Sequence, residues 1–267
     1  MKKNFDFFDA LSFGLYMVGA NFWRLILISI IVGILSVVSF FISMQFISGL
    51  SIITIVIIMA IFGGLLGCFI MGVIIRTAVV IAQDGEISIG ELLMDALVGI
   101  FPLFPAMILF GILVGAPSFI SLYIYFFSDI SSIMNTTSLI ILIVFLAIWA
   151  IIMLLKFMFF GFVIFDKGFG PIKSLGMSWK ITNGAVLRLI LLFILFGLLG
   201  WLISWLTGMF NVLSLLGIFG YILIFVVRFV VNFFTTWTIF LSLTYVYIEL
   251  MNQTENAQQM IEESKKN

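Results

Sequence analysis

The sequence contains no histidine. That removes the commonest general base and the commonest metal ligand together. One cysteine, Cys68, stands in an apolar run, so no disulfide can close within the chain and the redox compartment is not readable from thiols. Charge is scarce: 12 Lys+Arg and 12 Asp+Glu in 267 residues, or 9%. A soluble globular domain carries about 25% charged and roughly 45–50% apolar residues. Here 64% are apolar, so there is too little charge to clothe a water-facing surface, and disorder is excluded by the same figures. The formal net charge of zero argues against nucleic acid as a partner, because such domains carry a basic excess. No calcium-loop spacing, Walker-type phosphate loop or nucleophile elbow occurs.

What the chain does have is long apolar runs, over 25–47, 52–82, 97–127, 139–165, 185–206 and 212–248. A helix needs about 20 such residues to cross the hydrocarbon core. None of the runs shows the alternation of a barrel strand, so helices are the expected spanning element. The last run holds 37 residues, about 55 Å of helix and nearly twice a bilayer core. Arg228 lies 21 residues before Glu249, about 31 Å away along a helix. The expected last span is therefore 229–248. Segment 212–227, which contains Gly217 and Gly220, is expected as a short interfacial or re-entrant element before it.

Basic residues set orientation. Lys2, Lys3 and Arg24 precede the first span, and Arg76 lies near the end of the second. Lys167, Lys173, Lys180 and Arg188 surround the connection between spans four and five, and Lys265 and Lys266 close the chain. The other face has only Arg228. Six spans with both termini in the cytoplasm satisfy this pattern. The first run begins late and lacks an A-x-A-like site, so an uncleaved signal anchor is expected.

Three segments on the basic face carry most of the polar chemistry. Segment 4–21 alternates Asp6, Asp9 and Ser12 with Phe5, Phe7, Phe8, Leu11 and Leu15, and reads as an interfacial amphipathic helix. In 83–95, Asp84-Gly85 signals a turn, and Ser88-x-x-Glu91 fits a capping box that opens a helix. In 166–184, Pro171 suits a first helical turn and Asn183-Gly184 its end. A shift of 164 residues lays 9–35 over 173–199, with Arg-Leu-Ile-Leu shared at 24–27 and 188–191. Each copy reads as a surface helix, an interfacial Arg and a span, which makes a parallel rather than an inverted repeat.

Particular motifs add a family likeness. Asn21-Phe-Trp-Arg-Leu opens the first span, and Arg76-Thr-Ala with an acidic Gly-containing turn closes the second. Asp166-Lys-Gly-Phe-Gly-Pro is followed by Ser174, Ser178-Trp179 and Thr182-Asn183-Gly184 ahead of the fifth span. The chain resembles the uncharacterised bacterial six-span membrane proteins grouped with YciC, and is similar to the membrane domain fused to some glycerophosphodiester phosphodiesterases. The resemblance implies an integral membrane fold and no assigned activity.

Among single residues, Lys156 is the sharpest oddity. It stands ten residues before Asp166, about 15 Å inside the end of span four, and no Asp or Glu lies deep in any span to neutralise it. It either snorkels to the head-group level or forms a cationic site for an anionic lipid or substrate. Arg76, Arg228, Arg24 and Arg188 read as interfacial anchors. Arg24, Arg76, Lys156, Lys167, Lys173, Lys180 and Arg188 are the candidate contacts for anionic lipid. Gly63-x-x-x-Gly67 and Gly111-x-x-x-Gly115 read as helix-packing motifs within the molecule, or else as dimer contacts. Asp84, Glu86, Glu91 and Asp95 are expected to solvate a loop and cap a helix. Asn232, Thr235, Thr236 and Thr238 are expected to bond helix to helix or back to their own backbone, with a cavity lining as the alternative.

The expectation is an all-α, polytopic integral membrane protein. It is a bundle of six transmembrane helices with cytoplasmic interfacial helices, forming one transmembrane domain over 1–267 with a polar tail at 249–267, in the bacterial cytoplasmic membrane. It is expected to be a non-catalytic structural or accessory component without cofactor or metal. The alternative is a transporter or lipid-handling channel for an anionic lipid or small anion. Expected partners are membrane lipids, anionic phospholipid among them, and a second copy or another membrane protein.

Overall fold

The structure, a computed structural model, describes residues 4–45, 52–86, 88–127 and 136–266. Lys2 and Lys3, and the connections 46–51 and 128–135, lie outside the described residues. Among the described residues the chain is all-helical: α1 Phe7–Ala20, α2 Phe22–Gln45, α3 Ile52–Ala82, α4 Ile89–Phe127, α5 Thr136–Phe157, α6 Phe160–Lys167, α7 Pro171–Thr182, α8 Val186–Met209, a 3₁₀ helix Phe210–Leu216 and α9 Ile218–Lys266. Five segments are long and apolar enough to cross a membrane, and six if the bent pair α1–α2 counts as one. This is a multi-pass membrane protein. Its outer surface is apolar, with Phe101, Phe119 and Trp201 each more than two-thirds exposed, which only a lipid solvent accommodates.

α1 begins where the Asp6 carboxylate accepts from the backbone N–H groups of Phe8 (2.7 Å) and Asp9 (3.4 Å). It meets α2 at 85° and runs antiparallel along α9, with Asn4 at Gln253, Phe13 beside Tyr245 and Gly14 against Ser242. Its buried side, Ala10, Gly14, Met17 and Val18, packs on α9. Gly14 makes that approach possible: a Cβ there would sit 2.6 Å from the Thr238 carbonyl oxygen and collide with Ser242 Oγ.

α3 fills its expected range and ends in the Asp84-Gly85 turn, with Asp84 at φ +52°. Ser88 and Glu91 form the expected capping box. The Ser88 hydroxyl and backbone N–H donate to Glu91 Oε2 (2.8 and 3.0 Å), and the Glu91 N–H returns a bond to Ser88 Oγ (3.2 Å). Because nothing interrupts the helix that the box opens, α4 starts at Ile89, ahead of the expected span at 97, and runs 39 residues with Pro102, Pro105 and Pro117 inside it.

The run 139–165 is two helices rather than one. α5 stops at Phe157 and α6 restarts at Phe160, a break that joins the span to α7. α6 ends in a left-handed Gly168 (φ +65°), Pro171 occupies the first turn of α7, and Asn183 caps it before Gly184 (φ +87°). The Phe165 ring enters between α3 and α4, where Gly72 and Gly99 leave it room.

Segment 212–227 is not an element of its own. The chain turns at Gly217 (φ +63°), and α9 runs unbroken from Ile218 through Arg228 and Glu249 into the tail. The reason is local: the backbone reversal sits at the glycine that tolerates it. Arg228 lies within α9, and its guanidinium donates to Asn211 Oδ1 at 2.9 Å. The repeat register matches the helix limits. Adding 164 to the starts of α1 and α2 (7 and 22) and the end of α2 (45) gives 171, 186 and 209, the limits of α7 and α8. The two copies pack differently, since α1 rests on α9 whereas α7 lies mainly among α4, α5 and α6.

The glycine motifs do not sit at the helix contacts. A Cβ at Gly63, Gly67 or Gly111 would meet nothing within 4 Å among the described residues, whereas Gly14, Gly72, Gly99 and Gly161 face close neighbours.

Candidate functional site

The break between α5 and α6 is the least ordinary place in the molecule. Interrupting a helix frees backbone donors and acceptors that hydrocarbon cannot satisfy. α7 supplies the replacements. Ser178 Oγ accepts from the Phe159 N–H at 3.2 Å and donates to the Lys156 carbonyl at 2.9 Å, and Thr182 Oγ1 lies 3.2 Å from the same carbonyl. Ser174, Ser178 and Thr182 recur every four residues on one face of α7, and all three are fully buried. The Ser174 hydroxyl turns back to the Pro171 carbonyl at 2.7 Å.

Lys156 occupies the last turn of α5 and is 8% exposed. Its Nζ donates to Asn183 Oδ1 at 3.2 Å and stands 4.8 Å from the centroid of the Trp179 ring. The ammonium therefore turns toward the end of α7. Both partners are neutral, so its charge is solvated but not cancelled. Asn183 and Trp179 were not foreseen as its neighbours.

Beside the break lies an apolar cleft of about 820 Å³. Met71 and Ile75 of α3, Leu103 and Phe110 of α4, and Ile194 of α8 form part of its wall, and Leu154, Leu155, Phe157 and Met158 bring in the end of α5. Phe157 connects the two features, because its ring lies 5.5 Å from that of Trp179.

Arg24, Arg76, Lys167, Lys173 and Arg188 turn to protein partners. Arg76 Nε pairs with Asp95 Oδ2 at 2.9 Å, and its Nη1 donates to the Phe165 carbonyl at 3.0 Å, which ties α3, α4 and α6 together. Asp95 thus pairs with a cation, whereas Glu91 caps. Arg24 donates to the Gly85 carbonyl (3.3 Å) and Arg188 to the Phe5 carbonyl (3.0 Å). Lys167 pairs with Glu255 at 3.0 Å, and Lys173 stands 3.7 Å over the Phe169 ring. Lys180 is exposed in the last turn of α7. Asp166 accepts from Gln83 Nε2 (3.0 Å) and the Tyr247 hydroxyl (2.8 Å), a junction of α3, α6 and α9 absent from the sequence-based expectations. Among the described residues no three His, Cys, Asp or Glu side chains gather as a metal site would require.

No known protein family matches this chain, and no curated protein or solved structure does so.

Proposed function

We propose that this chain is a non-catalytic, lipid-binding component of the bacterial cytoplasmic membrane, with both termini in the cytoplasm, and that its cleft holds acyl chains of a phospholipid. The cleft carries this reading. Its volume of about 820 Å³ falls toward the upper end of the roughly 300–1,000 Å³ of ligand-holding cavities. The cleft is open at its edge, where Ile151, Leu154 and Ile194 are about half exposed, so the surrounding solvent fills it, and within a bilayer the abundant apolar filler is an acyl chain.

Lys156 adds preference for an anionic head group, because among the described residues its charge meets the neutral Asn183 amide and the Trp179 face. Proton-coupled translocation is less favoured, since such transporters carry intramembrane carboxylates or histidines, and the sequence has no histidine.

The test is lipid retention through detergent exchange, read by native mass spectrometry. Wild type should keep phospholipid. Leu154→Trp, which fills the cleft, should lose it about tenfold. Lys156→Met should insert normally yet lose the anionic species by a similar factor, about 1.4 kcal/mol. Retention unchanged by Leu154→Trp would remove the acyl-chain reading.

A further inference from the structure

A second cleft lies between α8 and α9, far along the chain from Lys156. Gly200, Ile203, Ser204 and Thr207 of α8 and Arg228, Asn232 and Thr235 of α9 line about 360 Å³. Both sets fall three or four residues apart, so each helix turns one face into the cleft. Gly200 keeps the wall low, with nothing within 4 Å of where a Cβ would stand. Polar side chains on a lipid-facing helix surface are costly unless something polar meets them. Asn232 and Thr235 thus take the cavity-lining role rather than the helix-bonding one.

The charge balance is one-sided. Arg228 donates one hydrogen bond, to the neutral Asn211 amide, and a guanidinium has five N–H donors. No Asp or Glu occurs between Asp166 and Glu249, so α7, α8, the 3₁₀ helix and α9 up to Ile248 contribute no carboxylate. Among the described residues no carboxylate pairs with the exposed Arg228 guanidinium, and an oxyanion matches the fork geometry that arginine offers. Ser204, Asn232 and Thr235 add hydroxyl and amide donors around the same space.

We propose that this cleft binds a phosphate group, with Arg228 as the charged ligand and Ser204, Asn232 and Thr235 as neutral donors. The phosphate comes from a lipid head group of the adjoining leaflet or from the free ion. The site shares no lining residue with the apolar cleft, so either reading stands if the other fails.

The full chain in neutral detergent is titrated separately with phosphatidylglycerol, with diacylglycerol as the phosphate-free lipid, and with inorganic phosphate. Binding is read by native mass spectrometry and thermal shift. Arg228→Gln should weaken phosphatidylglycerol binding at least tenfold and leave diacylglycerol binding unchanged, and Arg228→Lys should recover part of the loss. A response to phosphatidylglycerol alone assigns the head group, and a response to inorganic phosphate assigns the free ion. Should Arg228→Gln fail to fold, Asn232→Leu with Thr235→Val reads the same site. Equal phosphate and phosphatidylglycerol responses in the wild type and these variants overturn the proposal.

Discussion

At Met158 and Phe159 a rod of apolar helix is interrupted, and the Ser178 hydroxyl bridges the gap by accepting from one side and donating to the other. Ser178→Ala leaves the Phe159 N–H without that partner at a fully buried position. The expected loss is about 1–3 kcal/mol, the cost of an unsatisfied buried donor. Thermal unfolding in detergent measures it, and an unshifted midpoint contradicts the bridging role. The sequence displayed the Ser174, Ser178, Thr182 and Asn183 series plainly, but not what it faces. Lys156 and Phe159 stand 22 and 19 residues away, and only folding α7 back beside α5 brings them into reach. Arg76 illustrates the same limit. Its cationic place near a span end was legible, whereas its pairing with Asp95 depends on how α3 and α4 are set against each other.

Helix limits were legible wherever a local signal fixes them. The turn at Asp84-Gly85, the capping box at Ser88 and Glu91, Pro171 in a first turn and Asn183-Gly184 at an end all act over a few residues. The break at 158–159 has no such signal. Lys156 and Gly161 flank it, but neither ends a helix by itself, and the groups that satisfy the break come from α7. The packing glycines were likewise unreadable, since the spaced pairs in α3 and α4 drew attention while close contacts formed at Gly14, Gly72, Gly99 and Gly161. Two substitutions on α1 separate these cases. Gly14→Ala drives a methyl into α9 and should cost about 1–3 kcal/mol. Gly19→Ala meets open space and should be neutral or stabilising by up to about 1 kcal/mol. Comparing melting points of the two variants checks this, and a Gly14→Ala protein as stable as Gly19→Ala contradicts the close approach.

Across the whole molecule, the ends of the chain decide the number of crossings. The Asn4 N–H donates to Gln253 Oε1 at 3.1 Å, and Gln253 Nε2 donates to the Asn4 carbonyl at 2.6 Å. Residues bonded to each other share one side of a bilayer, which requires an even number of passages. Five helices qualify alone, and six if the bent pair α1–α2 counts as one span, which is the even number expected. Tags fused ahead of Met1 and behind Asn267 should be cleaved from the same side in sealed vesicles. Protection of one tag with cleavage of the other contradicts the six-pass arrangement.

The seat of α1 on α9 also bears on biogenesis. α1 is made well before α9, the helix it rests on, with Asn4 clasped to Gln253. At about 5–20 residues per second, the 233 residues from Ala20 to Gln253 take roughly 12–47 s to synthesise. Throughout that interval α1 waits without its seat on α9, and the clasp closes only once Gln253 has been made.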